Sequence, residues 1–286
     1  MNLSIIKIED LLRKVEEFPT LPTIYNKMMD LLANPMTTSS DLANLITLDQ
    51  SAAIKVLKSI NSPIYGLYGR ISSITHAINL LGFEEIKNLI TALTIIDLFD
   101  KNYTDRVLSP VDLWKHSIAV GIINRMIGKE TNASKIECYF LAGILHDIGK
   151  LFFLQVIPQI YSQVIEYSIE NRIAIKDAEL KIIGITNSVI GDLLAERWKL
   201  PLQIRQTIRY HYAGLVNNEF NPIVASVHIA NIAATAIGFG YRWEFIVNQP
   251  NIEVWDKLKL SENFFKDNIN TINLDFIEST NLLLNC

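Results

Sequence analysis

The sequence predicts an all-α protein, and three observations carry that expectation. Apolar residues recur at three- and four-residue spacing along most of the chain. The strict alternation of a half-buried strand is nearly absent. Ser, Asp, Asn, Pro and Gly stand where helix caps and breaks belong. With 286 residues, 49% of them hydrophobic and 20% charged, the chain can bury a large core as one large domain or two modest ones.

The elements follow in order. Ile5, Ile8, Leu12 and Val15 share one helical face; Pro19 and Pro22 break the chain, and Ile24, Met28, Leu31 and Leu32 form a second stripe ended by Asn34-Pro35. Ser40 or Asp41 caps a third helix with Leu42, Leu45 and Ile46 inward, and Asp49 caps a fourth carrying Ile54, Leu57 and Ile60, which stops at Asn61-Ser62-Pro63. Gly66, Gly69 and Arg70 mark a loop. Ser73 caps a short helix through Ile78 and Leu81, and Gly82 is placed to end it in the left-handed conformation. Ile86, Leu89, Ile90 and Leu93 stripe the next helix, and residues 101–108 form a polar connection suited to a boundary between lobes.

The second half opens with Ser109-Pro110 and Asp112, the signature of a helix start, and that helix carries His116. Ser134-Lys135-Ile136-Glu137 reads as a capping box for a helix through Phe140, Leu141, Ile144 and Leu145, which presents His146-Asp147 at its last turn and closes at Gly149. Apolar spacing gives further helices around Ile160 and Val164, from Val189 to Trp198, and from Pro201 to Ile208, the last ending at His211. Asn221-Pro222 opens a helix bearing His228 and Asn231, and Ser261-Glu262 starts another near Phe264 and Phe265.

Charge and composition narrow the function classes. A formal charge of −4 and a pI near 5.8 lack the excess of Lys and Arg that displaces counterions from nucleic acid or binds anionic membrane. The third and fourth helices resemble a helix-turn-helix in spacing, but only Lys55 and Lys58 are available to a groove, so the pair is expected to be a packing element. Cys138 and Cys286 form neither a disulfide framework nor a metal knuckle, which fits a reducing, cytoplasmic compartment. Lys7, Glu9 and Asp10 interrupt the first apolar segment, so no signal peptide is expected there. The uncharged run from Phe220 to Tyr241 contains Pro222, Ser226, His228, Asn231 and Thr235 and is expected to be a buried helix rather than a membrane span.

The chemistry centres on His146-Asp147. Imidazole nitrogen and carboxylate oxygen suit divalent Zn, Mn or Fe, but such ions take four to six donors, and the pair therefore needs partners. By itself it is equally a helix end with a solvated or ion-paired Asp147. His116 reads either as a ligand or as a buried histidine bonded to Asp147 or to the backbone. His211 reads as a polar helix end with metal ligation as its alternative, His76 and His228 as core or boundary residues satisfied by hydrogen bonds, and Lys150 as a solvated lysine with phosphate contact as its alternative.

Over nearly its whole length the chain resembles the HDOD-domain proteins. The resemblance rests on Phe18-Pro19-Thr20-Leu21-Pro22, Leu48-Asp49-Gln50, Asn61-Ser62-Pro63-Ile64-Tyr65-Gly66 and Ala77-Ile78-Asn79-Leu80-Leu81-Gly82 in the first half. In the second half Trp114-Lys115-His116, Ala142 to Lys150, Trp198-Lys199-Leu200-Pro201 and Tyr210-His211-Tyr212 resemble the HD hydrolase superfamily. It implies a single unit over 1–286, with an N-terminal helical lobe over 1–100 and an HD-like helical bundle over 109–286. It also implies a metal ligand set of His116, His146, Asp147 and, where those hydrolases carry a late Asp, Asn231. The amide removes a formal negative charge beside a dication. Asn187 and His211-Tyr212 stand where two-metal relatives have further histidines, so one ion, Fe, Mn, Zn or Mg, is the most this set implies.

HDOD proteins are bacterial signalling or output domains, often joined to receiver domains. The resemblance therefore implies a non-catalytic regulatory module with a degenerate metal site and no catalytic residue, which binds a signalling protein or a small nucleotide ligand. The alternative is a metal-dependent phosphohydrolase acting on a nucleotide or cyclic dinucleotide, with Lys150 near phosphate.

Overall fold

In the computed structural model the described residues are 7–67, 70–99, 109–240 and 246–284. Ile5, Gly69, residues 101–108, Tyr241 and Cys286, all used above, lie outside them. Apart from one isolated bridge between Val216 and Glu219, the described residues contain no strand. The helices are α1 (Ile8–Glu17), α2 (Thr23–Leu32), α3 (Ser39–Thr47), α4 (Gln50–Ile60), α5 (Ile74–Leu81), α6 (Phe83–Leu98), α7 (Pro110–Glu130), α8 (Glu137–Leu145), α9 (Ile148–Val156), α10 (Pro158–Asn171), α11 (Ile175–Ile182), α12 (Asn187–Arg197), α13 (Leu202–Tyr210), α14 (Pro222–Ile237), α15 (Ile252–Leu258) and α16 (Phe264–Leu284). A 3-10 turn, Pro63–Tyr65, follows α4.

Two compact units form, and they are not continuous in sequence. One holds α1 and α7 to α15; the other holds α2 to α6 together with α16. Where the sequence suggested lobes over 1–100 and 109–286, the chain instead changes unit after Thr20, after Leu98 and after Ser261.

In the smaller unit the caps do much of the local specification. Thr38 and Asp41 form a reciprocal capping box on α3, so the helix starts earlier than a cap at Ser40 or Asp41 allows. Asp49 accepts the Ala52 amide as expected, and Ser73 accepts that of His76. Asn61 holds the following loop by bonding both the N–H and the C=O of Ile71, at 2.8 Å each. Gly82 has φ +84 but ψ 165, so it ends α5 in an extended turn rather than the left-handed helical one. His76 is exposed, not core. Lys55 is ion-paired to Asp97 at 2.6 Å, which takes away one of the two cations a DNA-reading helix would have offered.

Some stripes are rotated from their expected phase. On α1 the buried residues are Leu11 and Val15, while Ile8 and Leu12 are 40% and 38% exposed. Adjacent leucines at 11 and 12 satisfy either phase, and Leu11 aligns with Val15 and Phe18, which are both buried. On α2 the buried pair is Tyr25 and Met28, and on α4 Val56 and Ile60 are buried while Ile54 is exposed.

The larger unit is built around α7, which is buried on nearly every side and packs on α8 and α14. Gly121 of α7 and Gly143 of α8 meet at the crossing: a Cβ on Gly143 would lie 2.5 Å from the Gly121 Cα. Only glycine permits so close an approach. Phe18 inserts among Phe99, Phe152 and Trp198, with ring centroids 5.4, 5.3 and 6.3 Å away, and Arg197 and Trp198 donate to the carbonyls of Phe18 and Pro19. The Phe18-Pro19 motif is thus part of this unit. The stretch Glu137–Val156, across α8 and α9, is long and apolar enough by composition to cross a membrane, but 89% of it is buried inside the protein as core. Most of α14 is likewise buried.

Candidate metal centre

His146 and Asp147 sit at the joint between α8 and α9. His146 keeps helical angles at the end of α8, and Asp147, at φ −110 and ψ 21, breaks the run for one residue before α9 begins. Ser134 does not form the expected capping box: residues before Glu137 are turns, and α8 has no side-chain cap. Gly149 does not close α8 either, because it lies in the first turn of α9. Its role is packing: a Cβ there would lie 1.9 Å from the carbonyl oxygen of Asn187, at the start of α12. Similarly, a Cβ on Gly240 (φ +93) would lie 2.5 Å from the backbone nitrogen of His116. Glycines thus allow the segments that carry the site to close on one another.

Three fully buried histidines share one arrangement. The Nδ1 of His116 lies 3.1 Å from the Phe239 carbonyl, that of His146 2.7 Å from the Gly143 carbonyl, and that of His211 2.9 Å from the Ile208 carbonyl. Each Nδ1 must carry the proton to donate to a carbonyl, so a neutral ring leaves the Nε2 lone pair available. Those Nε2 atoms face the remaining candidates. His146 Nε2 is 3.2 Å from Asp147 Oδ2, His211 Nε2 is 3.5 Å from Asp147 Oδ1, and His116 Nε2 is 2.8 Å from Asn231 Oδ1.

Burial, and then the facing His146, push the His116 pKa down to about 3; burial does the same to His211, also to about 3. Both rings are therefore neutral near pH 7. Burial alone would raise the Asp147 pKa, but His146 and Lys150 outweigh it and hold the carboxyl well below its usual range. Lys150 Nζ lies 2.9 Å from Asp147 Oδ2, with both side chains 1% exposed, so Lys150 is a buried ion-pair partner and not a solvated lysine.

The set suits a divalent ion. One ligand atom from each of His116, His146 and Asp147 lies within 4.8 Å of the others, and two donors held at about 2.1 Å by one ion lie roughly 3 to 4 Å apart. The Nε2 atoms of His146 and His211 are buried and have no hydrogen-bond partner, as expected of lone pairs directed at a cation. Asn231 and His116 present two acceptors to each other at 2.8 Å, an arrangement that either a shared cation or a turned amide satisfies.

A second buried network lies around Asn187. Glu179 accepts the Asn187 backbone N–H at 2.8 Å, its side-chain amide at 2.9 Å and the Tyr161 hydroxyl at 3.0 Å, and the same amide donates to Tyr212. Burial raises Glu179 to about 7 despite those donors. The backbone and side-chain nitrogens of Asn187 are committed to this scaffold, while its Oδ1 is buried without a hydrogen-bond partner.

The structure brings together His116, His146, Asp147 and Asn231, and adds two residues for which a role at the site was only the second reading. His211, read as a polar helix end, is fully buried against Asp147, and Lys150 is buried three residues on. The signal for Lys150 was its position inside the apolar run from Ile144 to Leu154. His228 is a hydrogen-bonded core histidine: its Nδ1 is 2.9 Å from the His211 carbonyl and its Nε2 accepts from the Asn251 amide. Glu179 was missed with its helix α11, and α9 and α15 were missed too; all three run for fewer than ten residues, too short for apolar spacing to set a period.

Comparison with known proteins adds the family. The HDOD domain model matches residues 18–214, more than half of the chain. A Treponema pallidum (strain Nichols) protein of unassigned role is 25% identical over 226 residues, and YuxH of Bacillus subtilis (strain 168) is 27% identical over 132; the matches cover 77% and 46% of this chain. They span only 42% and 31% of those relatives' lengths. Among solved structures, an HDOD domain protein of Geobacter sulfurreducens has a TM-score of 0.75 at 24% identity, covering 96% of this chain and 99% of its own. A candidate phosphohydrolase of Shewanella amazonensis SB2B gives 0.73 at 20%, covering 96% and 97%. A candidate signal transduction protein of Marinobacter aquaeolei VT8 gives 0.75 at 22%, covering 99% and 63%. At these identities the solved structures speak for the fold alone, and the family-model match, together with the all-helical architecture, places the chain in the HDOD domain family.

Proposed function

We propose that the chain is a cytoplasmic, non-catalytic regulatory module whose HD-type pocket, His116, His146, Asp147 and Asn231, takes at most one divalent ion, and that it acts by binding a signalling protein or a small nucleotide ligand. The observation that carries this reading is the charge balance of the pocket. Asp147 is its one carboxylate, Asn231 supplies an amide where hydrolases of the superfamily carry a late Asp, and Lys150 already neutralises Asp147 at 2.9 Å. A pocket so neutralised holds a dication weakly and leaves little to orient and ionise an attacking water. The Asn187 amide nitrogen is engaged with Glu179 and Tyr212, and its buried Oδ1 offers a second ion one neutral oxygen and no charge. The description of the Marinobacter neighbour as a candidate signal transduction protein agrees with this reading.

The convergence of three histidine Nε2 atoms around Asp147 and Asn231 favours a second reading, a metal-dependent phosphohydrolase of nucleotides or cyclic dinucleotides. In it an ion of Mn, Fe, Zn or Mg would polarise a phosphoryl oxygen, and Lys150 would hold phosphate. Metal analysis of the purified protein, followed by phosphodiesterase assay with Mn and Fe beside an Asp147→Ala control, separates the two. No turnover above the control is expected. Turnover that Asp147→Ala abolishes would overturn the non-catalytic reading.

A further inference from the structure

The position of Lys150 has a consequence for how the pocket fills. Lys150 is rooted in the first turn of α9, three residues after Asp147, and its amide donates to the Asp147 carbonyl at 2.9 Å. Its stem is fully buried, and its ammonium lies 2.9 Å from Asp147 Oδ2, the oxygen that also faces His146 Nε2 at 3.2 Å. This is one of the ligand atoms a divalent ion would need. Around it the other donors are the His116 and His211 rings, each with its Nδ1 against a backbone carbonyl, and the amide of Asn231. Asp147 is the carboxylate in direct contact with Lys150, while Glu179, the other buried carboxyl that feels this ammonium, is held by Asn187 and Tyr161.

We propose that Lys150 is a built-in cation that completes this pocket without metal, so that its ammonium and a divalent ion compete for Asp147 Oδ2. The proposal rests on the reading that the His-Asp pocket takes a metal, and it sets how that uptake is regulated. A buried carboxylate without a counter-charge is strongly unfavourable, which is why the pocket needs one cation or the other. Two in contact repel in surroundings where water screens poorly. Metal uptake therefore requires Lys150 Nζ to leave Asp147, and because the stem begins in α9, uptake is felt at the Asp147 joint and along the first turn of that helix. A bound anion, such as a phosphate group drawn to the displaced ammonium, would favour uptake for the same reason, and this couples ligand and metal in one direction.

The test uses the full chain stripped of metal. Mn and Zn are titrated calorimetrically into wild type, Lys150→Met and Lys150→Arg. Lys150→Met is expected to bind at least tenfold more tightly than wild type, and Lys150→Arg, which keeps the charge, to stay within threefold of it. Equal or weaker binding by a folded Lys150→Met overturns the competition. Should that variant fail to fold, wild type labelled with 13C at lysine Cε decides, with Lys150→Arg identifying the signal. Saturation with Zn moves that signal if the ammonium is displaced, and an unmoved signal refutes the proposal. Wild type that binds metal with no gain in Lys150→Met removes the competition but leaves the metal reading standing. Absence of binding in every variant removes both.

Discussion

Replacing Gly149 by alanine should be among the most damaging single-methyl additions in the larger unit. The new Cβ would lie 1.9 Å from the Asn187 oxygen, 2.6 Å from its carbonyl carbon and 2.9 Å from its Cα. Ordinary contact begins near 3.4 Å, so α9 and the start of α12 must separate by more than 1 Å. No side-chain rotation relieves this, because the obstacle is backbone and Glu179 holds it through the Asn187 N–H at 2.8 Å. Overpacking typically costs about 1–3 kcal/mol, and a backbone obstacle places Gly149→Ala at or above the top of that range even after the gain of about 1 kcal/mol in helix propensity. Gly191→Ala is the matched control. Its nearest neighbour is a side-chain methyl group, Ile208 Cγ2 at 2.7 Å, and the nearest backbone atom, the Gly149 nitrogen, is at 3.2 Å, so its loss should be smaller, about 1–2 kcal/mol. Urea denaturation followed by tryptophan fluorescence, with Trp114 and Trp198 in this unit, measures both. A Gly149→Ala protein within about 0.5 kcal/mol of wild type, the range of an innocuous surface change, or less affected than Gly191→Ala, would refute the packing argument.

Three further outcomes are expected. Stability should rise with pH and level off near pH 7. His116 and His211, lowered from 6.5 to about 3, contribute stability that is present above 6.5 and lost as pH falls toward 3. Glu179, raised from 4.5 to about 7, contributes stability present below 4.5 and lost as pH rises through 7. Each group contributes a slope of about 1.4 kcal/mol per pH unit. Between 4.5 and 6.5 two histidines outweigh one carboxyl and stability rises; near 7 the protons still bound by the unfolded histidines offset the one held by Glu179 and stability levels off, and Glu179→Gln should steepen the rise in denaturation curves. Asn231→Asp should tighten Mn binding at least tenfold by calorimetry, since it returns a formal charge to the ligand set. In the smaller unit, Thr38→Ala and Asp49→Ala should each cost about 1 kcal/mol, read by faster amide hydrogen exchange in α3 and α4.

The helices that the sequence made legible were those with both a stripe and a terminator. Ser109-Pro110 and Asn221-Pro222 mark the starts of α7 and α14, and Asn61-Ser62-Pro63 the end of α4. Phase was harder, as Leu11 and Leu12 illustrate, because periodicity permits two faces when apolar residues are adjacent. The Ser134 signature failed because the chain takes turns there and starts α8 at Glu137. At the site, His146-Asp147 and His116 were legible because their residue types are distinctive. His211 and Lys150 were not, since only tertiary packing turns a helix-end histidine and a lysine inward. The discontinuous units were equally hidden: no local pattern tells α16 to pack on α4.

The backbone tethers on the three histidines bear on how such a pocket changes over generations. Their proton positions are dictated by main-chain carbonyls at Phe239, Gly143 and Ile208, which no side-chain replacement at Asn231 erases. A lineage can therefore lose one ligand and its chemistry while inheriting the orientation of the rest intact. A single substitution at Asn231 thus changes the charge of the pocket without disturbing the frame that aims the three rings.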